Sequence, residues 1–248
     1  MPYAEGRVIH DADAHIMEMP GFLAEHLEAK YRERVTDRVL FPRRDGFQSR
    51  IADAERAKGE AFDDSQIMLA KNWSALGSWR QQDRPRSIDL LGFSSQLMFT
   101  TALLNYSNVL ESGPDHDLAY AVARAHTRHM VEFCSVDRRL LATGYVPLLD
   151  FERTTKAARE AIDAGATVIV PGEGPLNVFL ADHGVSRVDD VPVLDSLGTL
   201  LQVAELRARQ YRSAGLIPSR RGFHHEQPPR ELLDRARDFY GITAALDS

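Results

Sequence analysis

The chain has 248 residues, 44% of them hydrophobic, which is enough for one sizeable core, and a single domain of this length is ordinary for an α/β barrel. A net charge of -6 and a pI of about 5.9 argue against general binding to nucleic acid or to a membrane surface, both of which favour basic chains. A small-molecule substrate is the simpler expectation.

Cys134 is the only cysteine, so no intrachain disulfide can form and a cytoplasmic setting is expected. Its neighbours in Val131-Glu-Phe-Cys134 are mostly apolar, which predicts a buried structural thiol. The opening Met-Pro-Tyr-Ala-Glu-Gly-Arg lacks a basic region followed by an apolar run, so no signal peptide is expected. No apolar stretch approaches the ~20 residues of a membrane span.

The first predicted element runs from Val8 to Glu18, where an apolar pair leads into Asp11, Asp13, His15 and Glu18. In an extended chain alternate residues share a face, so Asp11, Asp13 and His15 are expected on one side and His10 on the other. A carboxylate and an imidazole two residues apart at a strand end can reach one divalent ion, zinc or manganese. The same pattern also reads as a polar strand end.

Leu23, Ala24, Leu27 and Tyr31 recur at helical spacing, predicting a short amphipathic helix with His26 on its surface. Residues 36 to 66 look like a long excursion, partly helical from Ser49 to Glu60. Ile67 to Leu76 returns to helical spacing with Leu69, Trp73 and Leu76 inward, and Trp73 and Trp79 read as packing residues.

Arg84 to Gly92 is a predicted helix with Pro85 in its first turn and Gly92 at its end. It feeds a strand, Ser95 to Thr101. A helix from His116 to Asp137, a strand from Leu140 to Pro147, a helix from Phe151 to Ala164 and a strand from Ala166 to Pro171 follow. This alternation predicts a parallel sheet with right-handed crossovers. His126 and His129 fall on the long helix, away from the strand ends where barrel chemistry sits, and read as structural or surface residues.

Asp11-Ala-Asp-Ala-His-Ile-Met-Glu18, Leu90 to Thr101, Glu132 to Leu140, Val146 to Leu149 and Ala164 to Pro171 resemble, in order, blocks of the amidohydrolase-related family of metal-dependent hydrolases and decarboxylases. Its members include aminocarboxymuconate semialdehyde decarboxylase. The resemblance covers roughly residues 7–172. It implies a (β/α)8 TIM barrel with a divalent metal at the carboxyl ends of the strands, Asp13 and His15 being the metal ligands of the first strand. It also implies an insertion that helps cover the active-site mouth.

After Gly172 the resemblance stops, and the blocks that would carry the remaining metal ligands are not found. Residues 173–190 read as a connector, and Val193 to Arg212 as an amphipathic helix with Leu194, Leu197, Leu200, Leu201, Ala204 and Ala208 on its apolar face. Arg230 to Tyr240 reads as one more helix. The domain division expected is therefore a barrel-like region at 1–172 and a divergent helical tail at 173–248. A shortened relative, a shifted reading frame or mis-set gene boundary, and a protein that completes its sheet with a partner all fit this tail. A half barrel exposes two strand edges, so capping by the tail helices or by a second copy in a homo-oligomer is expected. His224-His-Glu226 and His183 read as loop residues or as missing ligands.

The expected function is a metal-dependent hydrolase or decarboxylase acting on a small carboxylic acid or cyclic substrate, impaired if the barrel is incomplete. The alternative is a catalytically silent module that binds a small molecule or pairs with a partner.

Overall fold

The structure, a computed structural model, describes residues 6–36, 40, 47–57, 59–216 and 228–241. It divides into two compact units, Met1–Thr167 and Val168–Ser248.

The first unit is built on a three-stranded parallel sheet in the order β1 (His10–His15), β2 (Ser95–Phe99), β3 (Leu140–Ala142). Between β1 and β2 come α1 (Phe47–Arg56) and α2 (Arg84–Leu91), and between β2 and β3 come α3 (Ala102–Glu111) and α4 (His116–Cys134). After β3 the unit ends on α5 (Phe151–Asp163). This is mixed α/β architecture, and no closed barrel forms among the described residues.

Helix α2 forms where expected. Pro85 occupies its first turn, where a missing N–H costs nothing, and Gly92 closes it in the left-handed region at φ 76°. Helix α4 is capped by the Asp115 side chain, which accepts from Leu118 N at 3.0 Å. It buries Leu118, Val122, Ala125, Met130 and Phe133. The sheet's inner face, Ala14, Met98 and Leu140, packs on Ile88 of α2 and on Met130, Phe133 and Cys134 of α4. A second apolar cluster joins Leu23, Leu27 and Tyr31 to Trp73, Leu103, Leu118 and Val122.

Strand β1 contains a bulge. Asp11 pairs with Gln96 and Ala14 with Met98, so Ala12 and Asp13 together oppose the single residue Leu97. A local bond explains it: the Asp11 carboxylate accepts from Asp13 N at 3.1 Å, diverting that donor from the ladder. The extra residue reverses the phase of the strand. Asp11 shares the helix-covered face with Gln96, and His10, paired with Ser95, shares the opposite face with His15, paired with Phe99. The straight-strand expectation that Asp11, Asp13 and His15 lie together and His10 opposite is therefore corrected: Asp13 and His15 stay together, and Asp11 and His10 exchange faces.

Other expectations also change. The segment 20–27 forms turns and continues as a 3-10 turn at Ala29–Tyr31, not an α-helix, although Leu23, Leu27 and Tyr31 are buried. Trp73 and Leu76 are buried but Leu69 is 68% exposed, because Asn72–Ser74 is a 3-10 turn without α-helical periodicity. The third strand shortens to Leu140–Ala142, and α3 was not anticipated.

In the second unit the expected strand Ala166 to Pro171 reduces to one parallel bridge between Ile169 and Val193. The expected connector holds a helix, α6 (Gly174–Asp182), and a two-residue hairpin of β4 (Arg187–Val188) and β5 (Val191–Pro192). Helices α7 (Ser196–Ala214) and α8 (Arg230–Tyr240) follow. Buried Asn177 of α6 donates to Asp195 Oδ1 at 2.9 Å and accepts from Leu197 N at 3.0 Å, tying α6 to the start of α7. On the apolar face expected along α7, Leu200 and Leu201 are exposed.

Candidate metal centre

Asp13 and His15 sit at the carboxyl end of β1, the end at which all three parallel strands finish. Asp13 Oδ1 lies 3.3 Å from His15 Nε2, with side-chain exposures of 88% and 36%. The other ring nitrogen is committed: His15 Nδ1 is 2.9 Å from Thr100 O and 3.1 Å from Thr101 Oγ1. A carbonyl can only accept, so the Thr100 contact requires a proton on Nδ1. In the neutral ring Nε2 then carries a lone pair aimed at a carboxylate oxygen. Two acceptors at this separation leave a place between them for a cation, either a proton or a metal ion.

The geometry suits a metal. Two ligand atoms bound at about 2.0–2.1 Å in a tetrahedral shell are roughly 3.3 Å apart, and a zinc-binding imidazole ordinarily donates its other N–H to a carbonyl or carboxylate. The donor set is nevertheless short. No group of three or more His, Cys, Asp or Glu side chains suited to a metal occurs among the described residues.

The structure accounts for several absentees. Asp11 Oδ2 accepts from Gln96 Nε2 at 3.0 Å on the other face of the sheet. His10 contacts Ser95 Oγ at 2.7 Å at the far end of the strand. Buried Glu18 turns to the start of α3, accepting from Thr101 N at 3.0 Å and Ala102 N at 2.8 Å. In the second unit, His183 stacks on Phe179 at 4.1 Å with its Nδ1 2.8 Å from Phe179 O. His224, His225 and Glu226 lie outside the described residues. The pair thus fits an ion as two ligands, with its other positions facing solvent.

Beneath the site lies Arg84, buried with no carboxylate in direct contact among the described residues. It donates to Gln96 Oε1 at 2.9 Å and, through Nη1, to His15 O and Gly77 O, each at 3.4 Å. Burial lowers its pKa from the usual guanidinium range, and the Asp11 charge opposes that shift. Asp11, Gln96 and Arg84 thus form one polar chain under the strand end. Sequence reading missed Gln96 and Arg84 as supports, since nothing in their spacing links positions 11, 84 and 96.

His126 is buried with neither ring nitrogen hydrogen-bonded. His26, expected at the surface, is largely covered and pairs with Glu132 at 3.0 Å beside His129. Trp73 donates to Glu18 O at 3.2 Å and Trp79 to Trp73 O at 3.1 Å, so both indoles brace the loop behind the site. Burial pushes the Cys134 thiol up to about 11.

No protein-family model matches the chain, and a search of curated proteins finds no match.

Proposed function

We propose that this chain is a metal-dependent hydrolase or decarboxylase of the amidohydrolase-related type, with Asp13 and His15 holding zinc or manganese and a small carboxylic acid or cyclic compound as substrate. The observation that carries the reading is the 3.3 Å approach of Asp13 Oδ1 to His15 Nε2 at the carboxyl end of a parallel strand. Ligand atoms and active sites both belong at that end of a parallel α/β sheet.

A bound divalent ion would supply Lewis acidity, polarising a carbonyl or carboxylate and lowering the pKa of bound water toward ~7. The chain's own residues do the rest. Thr100 O and Thr101 Oγ1 hold the imidazole so that Nε2 faces Asp13. Asp13, almost fully exposed, leaves the outer side open to substrate. Arg84 braces the His15 backbone from below.

Metal analysis of the purified chain tests the reading. About one divalent ion per chain, lost in His15→Ala while the circular dichroism spectrum is unchanged, supports it; a metal-free wild type after dialysis against zinc or manganese refutes it.

A second reading, a catalytically silent module that binds a small molecule or a partner, draws on the count of ligands. Two are present among the described residues where catalytic zinc usually has three. Turnover of an aromatic or unsaturated carboxylic acid by the metal-loaded chain excludes it. Among the described residues, no helix is long and apolar enough to cross a membrane.

A further inference from the structure

Glu18 is one of the few buried charged side chains, and its carboxylate has no basic partner within ion-pair distance among the contacts described. All of its contacts fall on one three-residue turn. Oε1 accepts from Thr100 Oγ1 and from Thr101 N at 3.0 Å, and Oε2 accepts from Thr101 N at 3.1 Å and Ala102 N at 2.8 Å. These N–H groups open α3, whose N-cap Thr101 makes no side-chain cap of its own, so Glu18 caps the helix from 83 positions away in sequence. A carboxylate taking N–H bonds at a helix start forms charge-assisted bonds in the favourable direction of the helix dipole.

The same turn presents the two atoms that hold His15 Nδ1, Thr100 O and Thr101 Oγ1. Glu18 is itself anchored from behind, because buried Trp73 donates to its carbonyl oxygen. The order of contacts is therefore Trp73, Glu18, the 100–102 turn, His15 Nδ1. A competing state is within reach: if the turn moves away, the imidazole proton can transfer to Nε2 and bond Asp13 Oδ1, 3.3 Å away. That tautomer has no lone pair on Nε2, the nitrogen beside Asp13, to offer an ion.

We propose that Glu18 is a positioning residue which, through the Thr100–Ala102 turn, holds His15 in the Nδ1–H tautomer with Nε2 open toward Asp13. Its consequence for function rests on the metal reading above, but its effect on the imidazole does not.

The test reads the tautomer directly, by nitrogen NMR of His15 in the metal-free chain, well above the ordinary histidine pKa of about 6.5. The wild type is expected as Nδ1–H. Glu18→Gln places an amide NH2 where N–H donors converge, so a mixture with Nε2–H is expected, with zinc affinity about 10-fold weaker, the scale of an outer-shell loss. A folded Glu18→Gln chain with His15 still purely Nδ1–H overturns the proposal, as does a wild type found as Nε2–H. Should Glu18→Gln fail to fold, Thr100→Val, which removes one bond to Glu18 and keeps the backbone N–H contacts, is read in the same way. A wild type that binds no zinc, but whose tautomer shifts in Glu18→Gln, supports the positioning role and removes the metal reading.

Discussion

Asp11 and Gln96 meet through a 3.0 Å hydrogen bond on the helix-covered face of the sheet, one bulge away from the face that carries Asp13 and His15. Three acidic or imidazole side chains that look equivalent along the strand are therefore split into a support and a pair.

The split predicts opposite phenotypes. Asp13→Ala or His15→Ala is expected to abolish zinc binding; Asp13→Ala leaves stability nearly unchanged, its side chain being 88% exposed, and His15→Ala costs about 1 kcal/mol through its lost bonds to the 100–101 turn. Asp11→Asn, whose side-chain oxygen can still accept from Asp13 N, is expected to keep zinc affinity within about twofold and to destabilise the chain by about 1–3 kcal/mol, because it strips Gln96 and the buried Arg84 of their nearest anion. Zinc titration and urea unfolding of the three variants separate the two effects.

Gly77 stands at φ 69°, and a Cβ there would come within 2.5 Å of the Arg84 Cα, a backbone atom that cannot swing aside. Gly77→Ala is expected to cost about 2–4 kcal/mol, combining the left-handed penalty with overpacking. It should also loosen the Arg84 contact to His15 O. The urea midpoint checks the first effect and zinc affinity the second.

His126 and His129 give the chain a defined acid sensitivity. Burial lowers both to about 4, reinforced by their mutual repulsion in His126 and by His26 in His129, with Glu132 opposing in the latter. In the unfolded chain they take up protons near 6.5. Between these values the unfolded state binds more protons, so stability is fully present above about pH 6.5 and falls as pH drops toward 4, by on the order of 3 kcal/mol per histidine. His126→Leu is expected to reduce the slope by about half and, by removing two buried unpartnered nitrogens, to raise stability at pH 5 by ~1–3 kcal/mol. Unfolding curves from pH 7 to 4 measure both.

In the second unit, Asn177→Ala removes the acceptor for Leu197 N and the donor to Asp195, which itself caps α7 through Gly198 N. A loss of about 1–3 kcal/mol is expected, localised to that unit. Hydrogen exchange of the first turn of α7 should rise while that of α4 is unchanged.

What was legible in the chain was what local chemistry dictates. Pro85 and Gly92 bracket α2, and the apolar spacing of Leu118, Val122, Ala125 and Phe133 marks α4, because caps and periodicity act within one or two turns. The juxtaposition of Asp13 and His15 was also readable, as alternate residues of an extended stretch share a side; the bulge broke that rule for Asp11. The helices expected at 23–31 and 67–76 failed, because their apolar spacing is met equally well by turns whose side chains fill the second cluster. The fourth strand failed as well: Ile169 found a single bridge to Val193 and no long neighbour on which to extend a ladder.

By itself, then, the sequence determined the limits of α2, α5 and α8, the parallel βα alternation of the first 142 residues and the acid-imidazole pair. The tertiary structure alone decided the rest: Asp11 faces Gln96, Glu18 reaches the start of α3, and Arg84 lies buried under His15. The reason is physical. Each of these depends on which unsatisfied donor or acceptor lies nearest in space after the strands pair, and a partner 69 to 85 positions away leaves no periodic trace along the chain.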